Sequence, residues 1–356
     1  MGLTSPTLQE VGGWPAVLSR LTAGSDLSAD EASAALDEIL LGAASPVQIA
    51  AFVAALRTKR ETVEEMTGLV RAMRARAEPL DLDPAVLERV VDTCGTGGDR
   101  SGSINVSTIA AFVVAGAGVP VCKHGGRAAS SVAGSADVLE ALGVAIELGP
   151  EGVARCVSEA GIGFCFAPRF HPAMRHAIPV RRELGIATVF NFLGPLANPA
   201  HARRQVVGVG DRSMAEKMLG VLEANGAVHA MVVYGHDGLD ELSTVGPSTV
   251  LESKAGERRS FVVEPSELGL PTADAASLKG GKPEENASAA RAVLSGERGP
   301  HRDVVLLNAA AGLVVAGVAA DLPAGLELGA QSVDSGAAMA ALDGLVATSN
   351  AAAAEG

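Results

Sequence analysis

The sequence predicts an α/β protein: a small N-terminal helical domain joined to a larger domain with a central, mostly parallel sheet flanked by helices. Three observations predict it. Apolar residues recur at helical spacing through residues 14–78. From Arg89 onward, short β-branched runs alternate with helical stretches, the pattern of a parallel sheet covered by helices. Hydrophobic residues make up 48% of the 356 positions while aromatics make up only 3%. A core of small aliphatics suits close helix packing and strands buried on both faces.

The N-terminal elements come first. "WPAVLSRLTAG" and "SADEASAALDEILLG" place apolar residues at i, i+3, i+4 and i+7. Ser28 with Glu31 fits a capping box. "SPVQIAAFVAALRTKR" and "TVEEMTGLVRAMRARA" follow, with Ser45 and Thr62 as N-caps and Pro46 in a first turn. The helical domain is assigned to residues 1–84, joined by helices near 170–185, and the α/β domain to 85–356. Within the latter, strands are expected in "RVVDTC", "VPVCKH", "IGFCFA", "RQVVGVG" and "AVHAMVVYG". Helices are expected in "STIAAFVVAGAG", "SADVLEALG", "EGVARCVSEAG" and "SMAEKMLGVLEANG". "STVLES" and "SFVVEP" read as further strands, "ENASAARAVLSG" and "RDVVLLNAAAGLVVAG" as late helices, and "TSNAAAAEG" as a frayed end.

Composition excludes several classes. The formal net charge is −13, and no basic stripe of the kind a general nucleic-acid binder carries is present. An anionic ligand therefore needs a local cluster of donors. Cys94, Cys122, Cys156 and Cys165 show no C-x-x-C spacing and read as buried, reduced thiols, although Cys94 falls in a glycine loop. The first residues lack a basic flank and an apolar run, so no secretory signal is expected. The apolar run from Ile109 to Cys122 is too short and too broken to span a bilayer. A cytoplasmic protein follows as the expectation.

Four stretches carry chemistry. The first is "DTCGTGGDRSGSINVST", residues 92–108. It leaves the carboxyl end of a strand, where open α/β sheets bind ligands. Its glycines let backbone N–H groups approach a ligand. Ser103, Asn105, Ser107 and Thr108 then lead into a helix start, a ready anion site. A glycine turn with Ser/Thr capping is the bland alternative; loop, hydroxyls and helix start in succession favour an anion. Neither G-x-x-x-x-G-K-[ST] nor G-x-G-x-x-G is present, so ATPase and dinucleotide readings lose support. The second stretch, "CKHGGRAASSVAGSADVLEALG", repeats the logic and adds Lys123, His124 and Arg127 as positive donors, with hydroxyls at Ser130, Ser131 and Ser135.

The third, "FAPRFHPAMRHAIPVRRELG" with "NFLGPLANP", crowds Arg169, His171, Arg175, His176, Arg181 and Arg182 along one segment. Most of these six are a solvated basic surface, but one arginine could grip a carboxylate through paired hydrogen bonds. The fourth, "YGHDGLDELST", sets Asp240 and Glu241 side by side after a strand. Alone it is an acidic turn. Beside two phosphate loops it is a Mg2+ site, because that ion takes one or two carboxylates plus substrate phosphates.

With these stretches in hand, the chain resembles the anthranilate phosphoribosyltransferases of tryptophan biosynthesis. "GTGGD", "NVST", "KHGGRAASS", "GSADVLEALG", "FAPRFHPAMRHAIPVRRELG", "FNFLGPLANP" and "DGLDELST" occur in family order over roughly residues 14 to 345. The resemblance implies the two-domain fold and a homodimer through the helical domain. It implies transfer of ribose 5-phosphate from 5-phosphoribosyl 1-pyrophosphate (PRPP) to the amine of anthranilate, with two Mg2+ ions. It also implies roles. Gly95, Gly98, Asp99 and Ser103 belong to the PRPP loop. Asn105, Val106, Ser107 and Thr108 cradle the pyrophosphate. Lys123, His124, Gly125, Gly126, Arg127, Ala128, Ala129, Ser130, Ser131 and Ser135 cover the phosphates. Ser107, Asp240 and Glu241 hold the metal. Arg181 meets the anthranilate carboxylate, with Gly95 and Gly126 beside the acceptor and His124, Pro168 and His171 along its approach. No general base is assigned; an aryl amine is neutral at pH 7 and needs none.

Two positions depart from the family pattern. Gly126 replaces the Asn of K-H-G-N-R, and Val132 replaces the Lys of S-S-K-S-G-S. The first removes a side chain from the acceptor site and the second a cation from the phosphate side. Three alternatives remain: a phosphoribosyltransferase with another aromatic amine acceptor, a pyrimidine nucleoside phosphorylase, which needs no metal pair, and a non-enzymatic nucleic-acid-binding homologue, which the negative charge opposes.

Overall fold

The structure, a computed structural model, describes residues 6–128 and 132–355. Ala129, Ser130 and Ser131, assigned to the phosphates above, lie outside the described residues. The chain opens with α1 (Gly13–Thr22), α2 (Ala29–Leu40), α3 (Pro46–Lys59), α4 (Val63–Ala75) and the short α5 (Pro84–Leu87). Ser28, Ser45 and Thr62 cap α2, α3 and α4, each in a full capping box with Glu31, Gln48 or Glu65.

The α/β part runs β1 (Val91–Gly95), α6 (Val106–Gly116), β2 (Val121–Gly125), α7 (Ser135–Ala141), α8 (Pro150–Ala160) and β3 (Ile162–Phe166). The chain then returns to the helical unit through α9 (Ala167–Phe170), a 3-10 turn (Pro172–His176), α10 (Ile178–Leu184) and α11 (Phe190–Leu196). It continues with β4 (Arg204–Gly208), α12 (Ala215–Ala224), β5 (His229–Gly235), β6 (Ser248–Lys254) and β7 (Glu257–Val263). It ends in α13 (Pro283–Leu294), α14 (Pro300–Ala316), α15 (Leu322–Asp334) and α16 (Ala337–Glu355).

The seven strands form one sheet in the order β3-β2-β1-β4-β5-β6-β7. The first five are parallel, and β6 and β7 close the edge antiparallel. Strand order reverses between β1 and β4. That is the switch point where loops at the carboxyl ends of neighbouring strands diverge and leave a crevice.

The sheet divides two apolar clusters. Val91, Val206, Met231, Val233 and Val250 face the cluster built with α6, α8, α14 and α16. Cys94, Val207, Val209, Ala230, Val232 and Leu251 face the other way. They pack in one cluster with Leu36 and Phe52 of the N-terminal helices, Leu193 of α11 and Met218 of α12.

The expectation of a frayed C-terminus is corrected. α16 continues to Glu355, and the reason is a set of long-range bonds. The Ala145 N–H donates to the buried Ser349 hydroxyl at 3.1 Å, and the Asn350 amide donates to the Gly143 carbonyl at 2.8 Å. Among the described residues no helix is long and apolar enough to cross a membrane. All four cysteines are free and buried, Cys94 included despite its place beside the glycine loop: it belongs to the apolar cluster on the helical-unit side of the sheet.

Candidate active site

The loop after β1 crosses the switch point and is tied to β4. The Thr96 N–H donates to the Gly208 carbonyl at 2.9 Å, and the Gly210 N–H donates to the Thr96 hydroxyl at 3.1 Å. Gly97 and Gly98 take φ of 66° and 81°, a left-handed turn that suits glycine. The acidic pair arrives at the same point from the loop after β5. Asp240 Oδ2 accepts the Gly97 N–H at 2.7 Å, and Glu241 Oε1 accepts the Ser107 N–H at 3.2 Å at the start of α6. The approach is close enough to need two glycines. A Cβ on Gly208 would lie 1.6 Å from the Asp240 carbonyl oxygen, and one on Gly95 would lie 2.5 Å from Asp240 Oδ2.

Both carboxyls are buried, Asp240 9% and Glu241 7% exposed. Burial, then the Glu241 charge, pushes Asp240 well above the usual carboxylate range. Burial also lifts Glu241 to about 7, against the pull of Lys123 and Ser107. Asp99 adds a third carboxylate nearby, and its Oδ2 is buried without a hydrogen-bond partner. Among the described residues no three His, Cys, Asp or Glu side chains are gathered tightly enough to hold a metal by themselves. An all-oxygen pair with a repelled, elevated titration fits a hard divalent cation that brings most of its own ligands.

The second glycine loop follows β2. Lys123 is only 3% exposed; its ammonium donates to the Thr93 carbonyl and lies 3.4 Å from the Ser107 hydroxyl. It therefore sits beneath the α6 N-terminus rather than out in a loop. Arg127 is committed elsewhere: it pairs with Asp137 at 2.9 Å and Glu140 at 2.8 Å, over the Phe166 ring. Ala128 donates its N–H to Asp137 at 3.0 Å, and the Ser135 hydroxyl donates to the Gly126 carbonyl at 3.4 Å. Ser103 is held by Ser101 at 3.0 Å. At Gly126, where the family pattern has Asn, an added Cβ would have only Ala167 Cβ within 4 Å among the described residues, at 3.8 Å. Val132 is exposed.

The third stretch closes one side. The carbonyls at the end of α11 are held one by one. His124 Nδ1 bonds Gly194 O at 3.0 Å, Gln205 donates to Pro195 O at 3.1 Å, Arg74 donates to Leu196 O at 2.8 Å, and His171 Nε2 bonds Ala197 O at 3.1 Å. Asn198, buried, donates to Asp92 at 2.8 Å and to the Cys122 carbonyl at 2.8 Å. Four strands and helices thereby converge on one turn. The His124 and His171 rings lie 5.0 Å apart. Burial pulls His124 down to about 3 and His171 to about 4, so both are neutral near pH 7. His124 Nε2 is buried and unpartnered.

Arg181 stacks on the Phe190 ring at 5.3 Å, its guanidinium pKa lowered by burial, and among the described residues it has no carboxylate partner. An unpaired, half-buried guanidinium is a carboxylate receptor in waiting. Pro168 is exposed at the start of α9. Sequence reasoning gave no role to Asp92, Asn198, Gln205 and Arg74, whose partners lie up to 122 residues away and leave no local spacing signal.

Comparison with known proteins places the chain in a family and matches its fold. Residues 87–339 match the family described as "Glycosyl transferase family, a/b domain", and residues 15–77 match "Glycosyl transferase family, helical bundle domain". The chain is 54% identical over 333 residues to the anthranilate phosphoribosyltransferase of Roseiflexus castenholzii, covering 93% of this chain and 97% of that protein. It is 55% identical over 338 residues to that of Thermomicrobium roseum, covering 94% and 97%. The crystal structure of the Thermus thermophilus anthranilate phosphoribosyltransferase superposes with a TM-score of 0.88 at 44% identity, over 94% of this chain and 99% of that one. The Saccharomyces cerevisiae enzyme in complex with PRPP and Mg superposes with a TM-score of 0.85 at 29% identity, over 95% and 98%.

Proposed function

From the premise that this chain belongs to the anthranilate phosphoribosyltransferase family, and is a transferase, we propose how its own residues divide the work. The enzyme moves ribose 5-phosphate from PRPP to the amine of anthranilate, giving N-(5-phosphoribosyl)anthranilate and pyrophosphate, a step of tryptophan biosynthesis. The name shared by the relatives leaves the phosphorylase and nucleic-acid-binding alternatives without support.

The observation that carries the assignment is the meeting of Asp240 and Glu241 with the Gly97 and Ser107 N–H groups at the switch point. PRPP is placed across the loop after β1 and the start of α6. The Gly98 and Asp99 N–H groups and the Ser107 hydroxyl are placed toward its phosphate oxygens, whereas the Gly97 and Ser107 N–H groups reach them only if Asp240 and Glu241 turn to a cation. Asp240, Glu241 and Ser107 would hold Mg2+, as two ions in the full complex, and when bound it neutralises charge growing on the departing pyrophosphate. Lys123, fixed behind Ser107, adds positive potential to the same end of the sugar without contacting solvent. Residues 124–128 and Ser135 line the phosphate side; Arg127 must leave Asp137 and Glu140 to reach it.

The acceptor enters between the helical unit and β2. Arg181 takes its carboxylate in paired hydrogen bonds, turning the ring so that the amine faces the anomeric carbon. Gly95 and Gly126 supply flat backbone beside the ring, with His124, His171 and Pro168 on the approach. The two neutral imidazoles leave the guanidinium as the dominant charge there, which matches a monoanionic acceptor. No side chain serves as a base: the amine attacks with its own lone pair, and the proton departs once the nitrogen has become acidic.

We also place the protein in the cytoplasm, divided at residue 84 as the sequence suggests, and as a homodimer through the helical unit. Leu41, Val47 and Ile178 support the dimer, being 54%, 78% and 40% exposed on that unit. The test is a steady-state assay with PRPP, Mg2+ and anthranilate, following loss of anthranilate fluorescence. Arg181→Ala should raise the anthranilate KM by on the order of a hundredfold, as expected for a charge-assisted bidentate contact, with PRPP KM nearly unchanged. A wild-type enzyme that turns over no anthranilate refutes the reading.

A further inference from the structure

The segment Lys279-Gly280-Gly281-Lys282 belongs to no site described above, yet it lies along the approach to α6. Ser103 and Lys279 form an antiparallel bridge. The Ile104 N–H donates to the Leu278 carbonyl at 3.0 Å, and the Gly280 N–H donates to the Gly102 carbonyl at 2.8 Å. Just beyond, in the first turn of α13, Asn286 is 2% exposed. Its Oδ1 accepts the Gly281 N–H at 2.7 Å. Its Nδ2 donates to Asn105 Oδ1 at 2.8 Å. Asn105 Nδ2 in turn donates to the Ala133 carbonyl at 3.1 Å.

Two amides thus make a directed relay. It starts on the backbone of residues 280–281, passes the residue that precedes α6, and ends in the second glycine loop. A Cβ on Gly280 would lie 2.2 Å from Asn286 Oδ1 and 3.0 Å from Ile104 Cα, so the close approach is built into the chain. The relay engages both ends of the Asn105 side chain, its oxygen with Asn286 and one of its two N–H bonds with the Ala133 carbonyl. The relay thereby fixes how the second Asn105 N–H is aimed.

We infer that Asn286 is a positioning residue for PRPP binding: it fixes the N-terminus of α6 against the second glycine loop without touching substrate. The inference rests on the reading that these two loops hold PRPP. A buried amide is suited to the task because it must give one hydrogen bond and take another in fixed directions, and an unpaired end is costly. Simple packing would need neither direction.

The difference can be measured on the full-length enzyme. Asn286→Asp keeps the volume and the acceptor for Gly281 but cannot donate to Asn105; Asn286→Ala removes both bonds. Both variants should raise the KM for PRPP about tenfold or more, the cost of one buried hydrogen bond, while the anthranilate KM stays near wild type; both also lower the thermal midpoint, because each leaves a buried polar group unpaired. In a double variant with Asn105→Ala the PRPP effect should not increase further, because one relay is broken twice. Should Asn286→Ala fail to fold, Asn286→Asp alone decides. An unchanged PRPP KM with a lowered thermal midpoint, or an equal rise in both KM values, overturns the inference. Wild-type enzyme that shows no PRPP binding by calorimetry would instead sink the functional reading beneath it.

Discussion

Replacing Gly95 by alanine tests the geometry of the acidic pair most directly. The added Cβ would stand 2.5 Å from Asp240 Oδ2, 3.2 Å from its Cγ and 3.4 Å from its carbonyl oxygen. Ordinary contact begins at 3.4 Å, so the carboxylate must retreat by about 0.9 Å, while the backbone contact is already tolerable. The retreat breaks the 2.7 Å bond from Gly97. It also shifts one of the two carboxylates proposed to hold the metal. A displacement of about 1 Å in a positioned group costs up to about a hundredfold in rate. The fold should lose only about 1–3 kcal/mol, the usual cost of overpacking.

We therefore expect Gly95→Ala to fold, with a modestly lowered thermal midpoint, and to lose on the order of a hundredfold in kcat/KM for PRPP at fixed Mg2+. Gly344→Ala, on α16, is the control: its Cβ meets nothing closer than 3.4 Å, and PRPP kinetics should be unchanged. Calorimetric titration with PRPP and Mg2+, together with the fluorescence assay, reads both. A Gly95→Ala enzyme within threefold of wild type, with an unchanged midpoint, would show that Asp240 has room to spare and refute the reasoning.

Other expectations follow from burial and capping. His124 and His171 are held near 3 and 4 by burial, so the unfolded chain takes up protons below about 6.5 that the folded chain refuses. Stability must then fall as pH drops from 6.5 toward 4, by about 3 kcal/mol for His171. Thermal midpoints should decline less steeply over that range in His171→Asn, and ring nitrogen shifts should report neutral imidazoles at pH 5.5. At the helix starts, Ser28→Ala removes a full capping box and should cost about 1 kcal/mol in urea unfolding. Arg71→Ala, which breaks an ion pair whose partners are 47% and 59% exposed, should change stability by less than about 0.5 kcal/mol.

Much of the site could be read from the chain because its chemistry is local. A glycine run after a β-branched run, hydroxyls before a helix, and two adjacent acids each occupy a few consecutive residues. The capping box of α2 and the N-caps of α3 and α4 were legible for the same reason; the Gln48 and Glu65 halves of the other two boxes were not. What escaped was assembled across distance. Arg74 reaches the Leu196 carbonyl over a separation of 122 residues, and Asn286 reaches Asn105 over 181. Lys123 was legible as a cation but not as a buried one, because its depth is set by β1 and α6 on either side. Arg127 was legible as a donor, whereas its commitment to Asp137 and Glu140 depends on how α7 turns back. The last helix was misjudged since "TSNAAAAEG" offers no strong periodic stripe, and its anchors lie about two hundred residues away, at Ala145 and Gly143.

The sheet serves as a shared partition. Cys94, Val207, Val209, Ala230, Val232 and Leu251 lie under α11 and α12, against whose outer side α4 packs. Severing the chain near residue 84 would bare the outer faces of α11 and α12, and the detached bundle would lose the surface on which its own interior closes. The two family segments are thus separable in sequence but not in solution. Expressed apart they should precipitate or seek each other out, and any swap between relatives will succeed only if both sides of the wall are transplanted together.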